Sequence, residues 1–139
     1  MFGLLIVTHG NLGKELLATS AFIIGELESA AVVSLSASES AEEIRERMEE
    51  AINSVDKNNE GVVILTDMFG GTPANVALSF LDERSAEVIT GVNLPMLLKV
   101  PSLQKSGKSL HDIARDLALT GQKNIIFASD LLGGGKGKK

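Results

Sequence analysis

Two apolar runs of this 139-residue chain end in groups that can do chemistry. Ile6-Val7-Thr8 leads into His9-Gly10, and Val62 to Leu65 leads through Thr66 into Asp67. The carboxyl ends of strands are where an α/β sheet displays its working groups. If the two strands are neighbours, Asp67 can accept a hydrogen bond from Nδ1–H of His9, which fixes the tautomer and leaves the lone pair on Nε2. A ring held in this way is a nucleophile. Directly after Asp67 come Met68-Phe69-Gly70-Gly71-Thr72-Pro73. Backbone N–H groups of Gly70, Gly71 and Thr72, at the positive end of a following helix, would sit where phosphate oxygens arrive. The chemistry that fits is reversible phosphoryl capture on nitrogen. It needs in-line positioning and charge stabilisation, which a fixed imidazole and amide donors supply with neither metal nor cofactor. Singly, a histidine after a strand suits a loop and Gly-Gly-Thr-Pro suits a turn and cap; their co-occurrence at two strand ends carries the phosphoryl reading.

The elements that must position these groups follow from periodicity. Strand-length apolar runs at Leu4 to Val7, Ala31 to Leu35, Val62 to Leu65 and Val88 to Ile89 alternate with segments of helical period, the pattern of a doubly wound α/β fold with a mostly parallel sheet. Leu16, Leu17, Ala21 and Ile24 mark the first helix, which Gly25 stops. Ser40 and Glu43 form a capping box for the second, whose apolar stripe is Ala41, Ile44, Met48, Ala51, Ile52 and Val55. Its charged side, with Glu42, Arg45, Glu46, Glu49 and Glu50, reads as a solvated face. Thr72 is the expected N-cap of the third helix, with Pro73 at its first position and Ala77, Leu78 and Leu81 following. Gly91-Val92-Asn93-Leu94-Pro95-Met96 feeds a fourth helix that Pro101 should limit, because an interior proline costs roughly 3 kcal/mol. Ser109 with Asp112 opens a fifth, closed by Gly121, and Asn124 to Phe127 reads as a last strand. His111 falls off the stripe of that fifth helix and reads as a solvent-facing residue. The common doubly wound order 2-1-3-4 sets the first strand beside the third and so brings His9 and Asp67 to one cleft.

Composition narrows the function classes. The length suits one well-buried core, expected over residues 1–128, with residues 129–139 as a flexible Gly/Lys tail. Net charge is −5, and with the three carboxyl-terminal lysines set aside ten basic residues face eighteen acidic ones, which disfavours nucleic acid as a partner. The absence of cysteine removes disulfides, thiolate catalysis and cysteine-ligated zinc. No run approaches the roughly 20 apolar residues of a membrane span and no basic leader precedes the first strand, so a cytoplasmic chain with no direct membrane insertion is expected.

Taken together, Leu5-Ile6-Val7-Thr8-His9-Gly10, Asp67-Met68-Phe69-Gly70-Gly71-Thr72-Pro73 and Gly91-Val92-Asn93-Leu94-Pro95-Met96-Leu97 resemble the three signatures of the mannose-family enzyme IIA domain of the bacterial sugar phosphotransferase system. The likeness spans roughly residues 1 to 128. It implies a phosphocarrier in which His9 accepts a phosphoryl group on Nε2 from the histidine-containing phosphocarrier protein and hands it to a histidine of a IIB component. In this likeness Asp67 is the orienting carboxylate, Gly70, Gly71 and Thr72 line the phosphoryl group, and Met68 and Phe69 stand on the docking rim. It also implies a homodimer in which the last strand, around Asn124 to Phe127, is exchanged antiparallel onto the partner's sheet. Phe69 occupies a position where many relatives carry tryptophan. The Ala/Pro-rich linker to a fused IIB domain is replaced by the Gly and Lys tail, so the IIB component would be a separate chain. Pro101 and the short stretch after it depart from the pattern.

Rival classes lack residues they need. Histidine phosphatases carry an arginine before the histidine, where this chain has Thr8, and a receiver-like switch needs an acidic pair after strand one, where this chain has Thr8-His9. The phosphoryl-donor subunit of dihydroxyacetone kinase, which tends to carry His-Ser where this chain has His9-Gly10, is the nearest alternative, together with a free-standing regulatory IIA uncoupled from transport. A dinucleotide site around Gly10 and Gly13 fails on the missing G-x-G-x-x-G spacing.

Overall fold

A computed structural model describes residues 1–133. Four parallel strands, β1 (Gly3–His9), β2 (Ala30–Leu35), β3 (Val62–Thr66) and β4 (Ala86–Thr90), form one sheet in the order β2-β1-β3-β4, as the alternation of apolar runs predicts. The two central strands are buried on both faces, which is why Leu4 to Val7 and Val62 to Leu65 read as continuous apolar runs. Leu5, Val7, Val62 and Ile64 face helices α2 (Ala41–Val55) and α3 (Thr72–Leu78), where Ile44, Met48, Ile52 and Phe80 complete one core. Leu4, Ile6, Val63 and Leu65 face α1 (Leu12–Ile24), α4 (Leu94–Gln104) and α5 (Leu110–Lys123), where Leu97, Val100 and Leu117 complete the other.

Local chemistry explains most boundaries. Ser40 accepts the Glu43 N–H while the Glu43 carboxylate accepts the Ser40 N–H, so the expected capping box is formed. Gly25, at φ 84°, ends α1. Four local expectations are corrected. The N-cap of α3 is Gly71 rather than Thr72, because the first helical bond runs from Asn75 N–H to the Gly71 carbonyl; Thr72 is already helical and makes no side-chain cap. The same helix stops at Leu78 and tightens into three-residue turns, so Phe80 enters the core and Leu81 stays in solvent. Pro101 lies inside α4, which continues to Gln104. Burying Val100 and Leu103, roughly 1.5–3 kcal/mol each, offsets the proline. Gly121 does not close α5; a Cβ there would lie 2.6 Å from Met96 Cε, so the glycine is where α5 packs against α4.

The carboxyl-terminal expectation also changes. Residues 125–127 belong to no strand among the described residues, and the sheet has four strands rather than five. An antiparallel strand needs a neighbour to bond to, and α5 delivers this segment into solvent. A short helix, α6 (Ala128–Gly133), whose Ala128, Leu131 and Leu132 are good helix formers, crosses the boundary expected after residue 128. The remainder of the expected tail, residues 134–139, lies outside the described residues.

Candidate phosphoryl-transfer site

β1 and β3 stay paired only as far as Val7 with Thr66, while β1 remains paired to β2 through His9 with Leu35. One flank of β1 is therefore open at its last two residues. Asp67 fills that gap with its side chain: Oδ2 accepts the His9 backbone N–H at 2.9 Å and meets His9 Nδ1 at 2.8 Å, while Oδ1 accepts the Met68 N–H at 3.0 Å. The other flank is held by Gly10, whose N–H donates to the Leu35 carbonyl at 2.9 Å. Gly10 has φ 55°, a left-handed conformation that turns the chain sharply out of β1 toward α1. Thr8 Oγ1 accepts the Gly13 N–H at 2.7 Å.

The electrostatics agree with this geometry. Partial burial pushes the Asp67 carboxyl up, but the His9 backbone N–H and ring outweigh it and hold the carboxyl below its ordinary value of 3.8. Asp67 is thus ionised at neutral pH and can only accept, so Nδ1 of His9 carries the proton and the neutral ring keeps its lone pair on Nε2. The carboxylate side chain is 11% exposed and the imidazole 56%, so the orienting group is sheltered and the reacting ring is open.

Of the residues that follow Asp67 in the second signature, Gly71 and Thr72 are placed beside the imidazole at this edge. Gly71 lies against the imidazole, where a Cβ would stand 3.1 Å from His9 Cε1. Gly70 has φ 87°, which a side chain would disfavour. Thr72 lines a cleft of roughly 690 Å³ together with His9, and Met68 and Phe69 project as exposed apolar side chains, 54% and 75% accessible. Ser36, Ala37 and Glu39 of the β2–α2 loop line the same cleft and were missed from sequence. The Ser36 N–H and the Arg47 guanidinium hold the Glu39 carboxyl below its ordinary value and pin that loop. The strand-end rule that selected His9 and Asp67 points equally to the end of β2, and was the available signal. His111 lies far in the fold from this edge, exposed on α5 between Glu87 and Arg115. Among the described residues no group of three or more potential ligands is placed to hold a metal ion.

Comparison with known proteins identifies the family. The family profile EIIA-man, described as "PTS system fructose IIA component", matches residues 3–118. The chain is 32% identical over 133 residues, covering 95% of it and 90% of the relative, to the PTS system fructose-specific EIIA component of Bacillus subtilis (strain 168). It is 30% identical over 123 residues to the PTS system mannose-specific EIIAB component of Escherichia coli (strain K12), covering 88% of this chain but 38% of that longer protein. Among solved structures, the mannose/sorbose specific IIA subunit of the phosphotransferase system from Enterococcus faecalis superposes with a TM-score of 0.80 at 27% identity, over 90% of this chain and 92% of that one.

Proposed function

The chain belongs to the EIIA-man family of the sugar phosphotransferase system, and from that membership we propose that it carries phosphoryl groups between proteins on Nε2 of His9. IIA components of this system are phosphotransferases. The donor in this reading is the histidine-containing phosphocarrier protein and the acceptor is a IIB component, with the exchange taking place in the cytoplasm. Among the described residues no helix is long and apolar enough to cross a membrane.

The observation that supports this best is the paired contact of Asp67 Oδ2 with both the backbone and the ring of His9. In the forward step the Nε2 lone pair attacks phosphorus in line. The Nε2–P bond forms as the donor's N–P bond breaks, and the departing electron pair returns to the donor's ring nitrogen. His9 keeps its Nδ1 proton, so the ring gains positive character, and the carboxylate 2.8 Å away stabilises it. Backbone amides of Gly70, Gly71 and Thr72 are assigned to the phosphoryl oxygens; the missing side chain at Gly71 leaves the space beside Cε1 open. Met68 and Phe69 are assigned to docking, since they are exposed apolar groups that follow Asp67 directly in the chain.

The transfer is assigned to residues 1–128, with the segment around Asn124 to Phe127 exchanged antiparallel between two copies. Among the described residues β4 is an edge strand bonded only to β3, and Ile125, Ile126 and Phe127 are 77%, 55% and 75% exposed. An unpaired edge and an apolar segment of strand-forming residues complement each other.

Incubation with phosphoenolpyruvate, enzyme I and the phosphocarrier protein, followed by intact mass measurement, tests the carrier role. The wild type gains one phosphoryl group, labile in acid and stable in base, and His9→Ala gains none. A wild type that stays unmodified, or an equal gain in the variant, would overturn the assignment.

A further inference from the structure

We propose that Thr8 is a positioning residue for phosphoryl transfer, fixing the turn that carries His9 from inside β1 while Asp67 holds the flank. The proposal rests on His9 as the phosphoryl carrier. Thr8 is fully buried at the last turn-out of β1, and its Oγ1 accepts the N–H of Gly13 at 2.7 Å. Gly13 is the second residue of α1, one of the positions whose N–H has no partner within the helix. The residue expected to satisfy it is the N-cap, yet Asn11 makes no side-chain cap bond. Thr8 therefore caps α1 from inside β1. The fit is tight, because a Cβ on Gly13 would come within 2.9 Å of Ile6 Cγ2 and 3.2 Å of Thr8 Oγ1.

The placement has a consequence for His9. Between the two ends of this bond lie His9, Gly10, Asn11 and Leu12, so the bond closes a small ring of chain around the turn that carries the imidazole. β3 no longer pairs with β1 at this level, which leaves His9 with β2 on one flank and a single carboxylate on the other. Without the Thr8 bond the turn can shift along the axis of α1, and Asp67 alone would have to hold the ring. In-line transfer is sensitive to such a shift, since a displacement of about 1 Å can cost about 10²-fold in rate.

The test compares Thr8→Val, Thr8→Ala and Thr8→Ser with wild type in the phosphoenolpyruvate-driven assay, with the phosphocarrier protein varied. Valine puts a methyl against the Gly13 N–H, alanine removes the acceptor without adding bulk, and serine keeps the hydroxyl. The expected result is a fall in kcat of roughly tenfold or more for the valine and alanine variants, an unchanged KM for the phosphocarrier protein, and recovery of most of the rate with serine. Nitrogen-15 spectra of the His9 ring in the same variants should show loss of the single Nδ1-protonated form while the amide spectrum stays dispersed. Should valine fail to fold, the alanine and serine pair decides. Wild-type kcat in folded Thr8→Ala, or a serine variant as slow as alanine, overturns the proposal. A wild type that accepts no phosphoryl group would instead overturn the carrier reading of His9.

Discussion

At the carboxyl ends of β1 and β3, the groups that aim the imidazole are satisfied within one chain: Nδ1 and the N–H of His9 both reach Asp67, and Gly10 reaches Leu35. After α5 the reverse holds. Ile125, Ile126, Phe127, Leu131 and Leu132 are all more than half exposed, and α6 has no buried residue. Each such side chain forgoes roughly 1.5–3 kcal/mol that full burial would provide. The contrast separates a site complete in the single chain from a segment whose composition calls for a surface outside it. The first half of that contrast breaks if the carboxylate can be removed without consequence.

Asp67→Asn is the sharpest attempt to do so. An amide that keeps the shape can present its NH₂ to the ring and favour the wrong tautomer, as in catalytic triads where the equivalent change costs about 10⁴-fold. The expected outcome is a loss of roughly 10²–10⁴-fold in the rate of phosphoryl gain by stopped mass measurement, with the fold retained. A pH signature accompanies it. The folded Asp67 carboxyl is held below its ordinary value of 3.8, so its ionisation stabilises the native chain above that pH and the contribution is lost as pH falls through the lowered value. Acid denaturation followed by circular dichroism should therefore lose part of its acid limb in Asp67→Asn. An identical acid limb would show that the His9 contact adds nothing to stability.

A smaller effect is expected at Gly71. Its φ of −86° suits any residue, so the glycine is required for space and not for conformation. With a Cβ 3.1 Å from His9 Cε1, Gly71→Ala must displace the ring by a few tenths of an ångström. About a tenfold loss in transfer rate follows if alignment is as demanding as in-line attack implies. Unchanged kinetics with a shifted ring signal would mean that the imidazole has latitude at this edge.

What could be read in advance divides along the same line. The sheet order and the His9–Asp67 contact were legible because buried parallel strands must be apolar throughout and because crossover rules leave few orders for four of them. The steric role of Gly71 and the buried bond of Thr8 were not, since both depend on how closely helix and ring approach a strand end, a distance that no residue pattern encodes. Gly121 misled for a related reason: a glycine that lets α5 approach Met96 has the same sequence signature as one that ends a helix. Asn124 to Phe127 has a strand's composition but, among the described residues, is paired with no strand. Composition specifies what a segment can form, and only a partner edge determines whether it does.

Removing residues 125–139 addresses that segment directly. Asn124 stays, because its side chain donates to the Thr120 carbonyl at 2.8 Å and closes α5. If the segment is exchanged onto a second copy, sedimentation should show a dimer for the full chain and a monomer for the shortened one. Phosphoryl gain on His9 should change by no more than about twofold, since groups with no shared partners couple by only about 0.5 kcal/mol. A shortened chain that remains dimeric would assign the apolar segment to a different surface. A monomer that no longer accepts the phosphoryl group would break the contrast itself: the edge holding His9 would then depend on the second copy, however completely its own hydrogen bonds are satisfied.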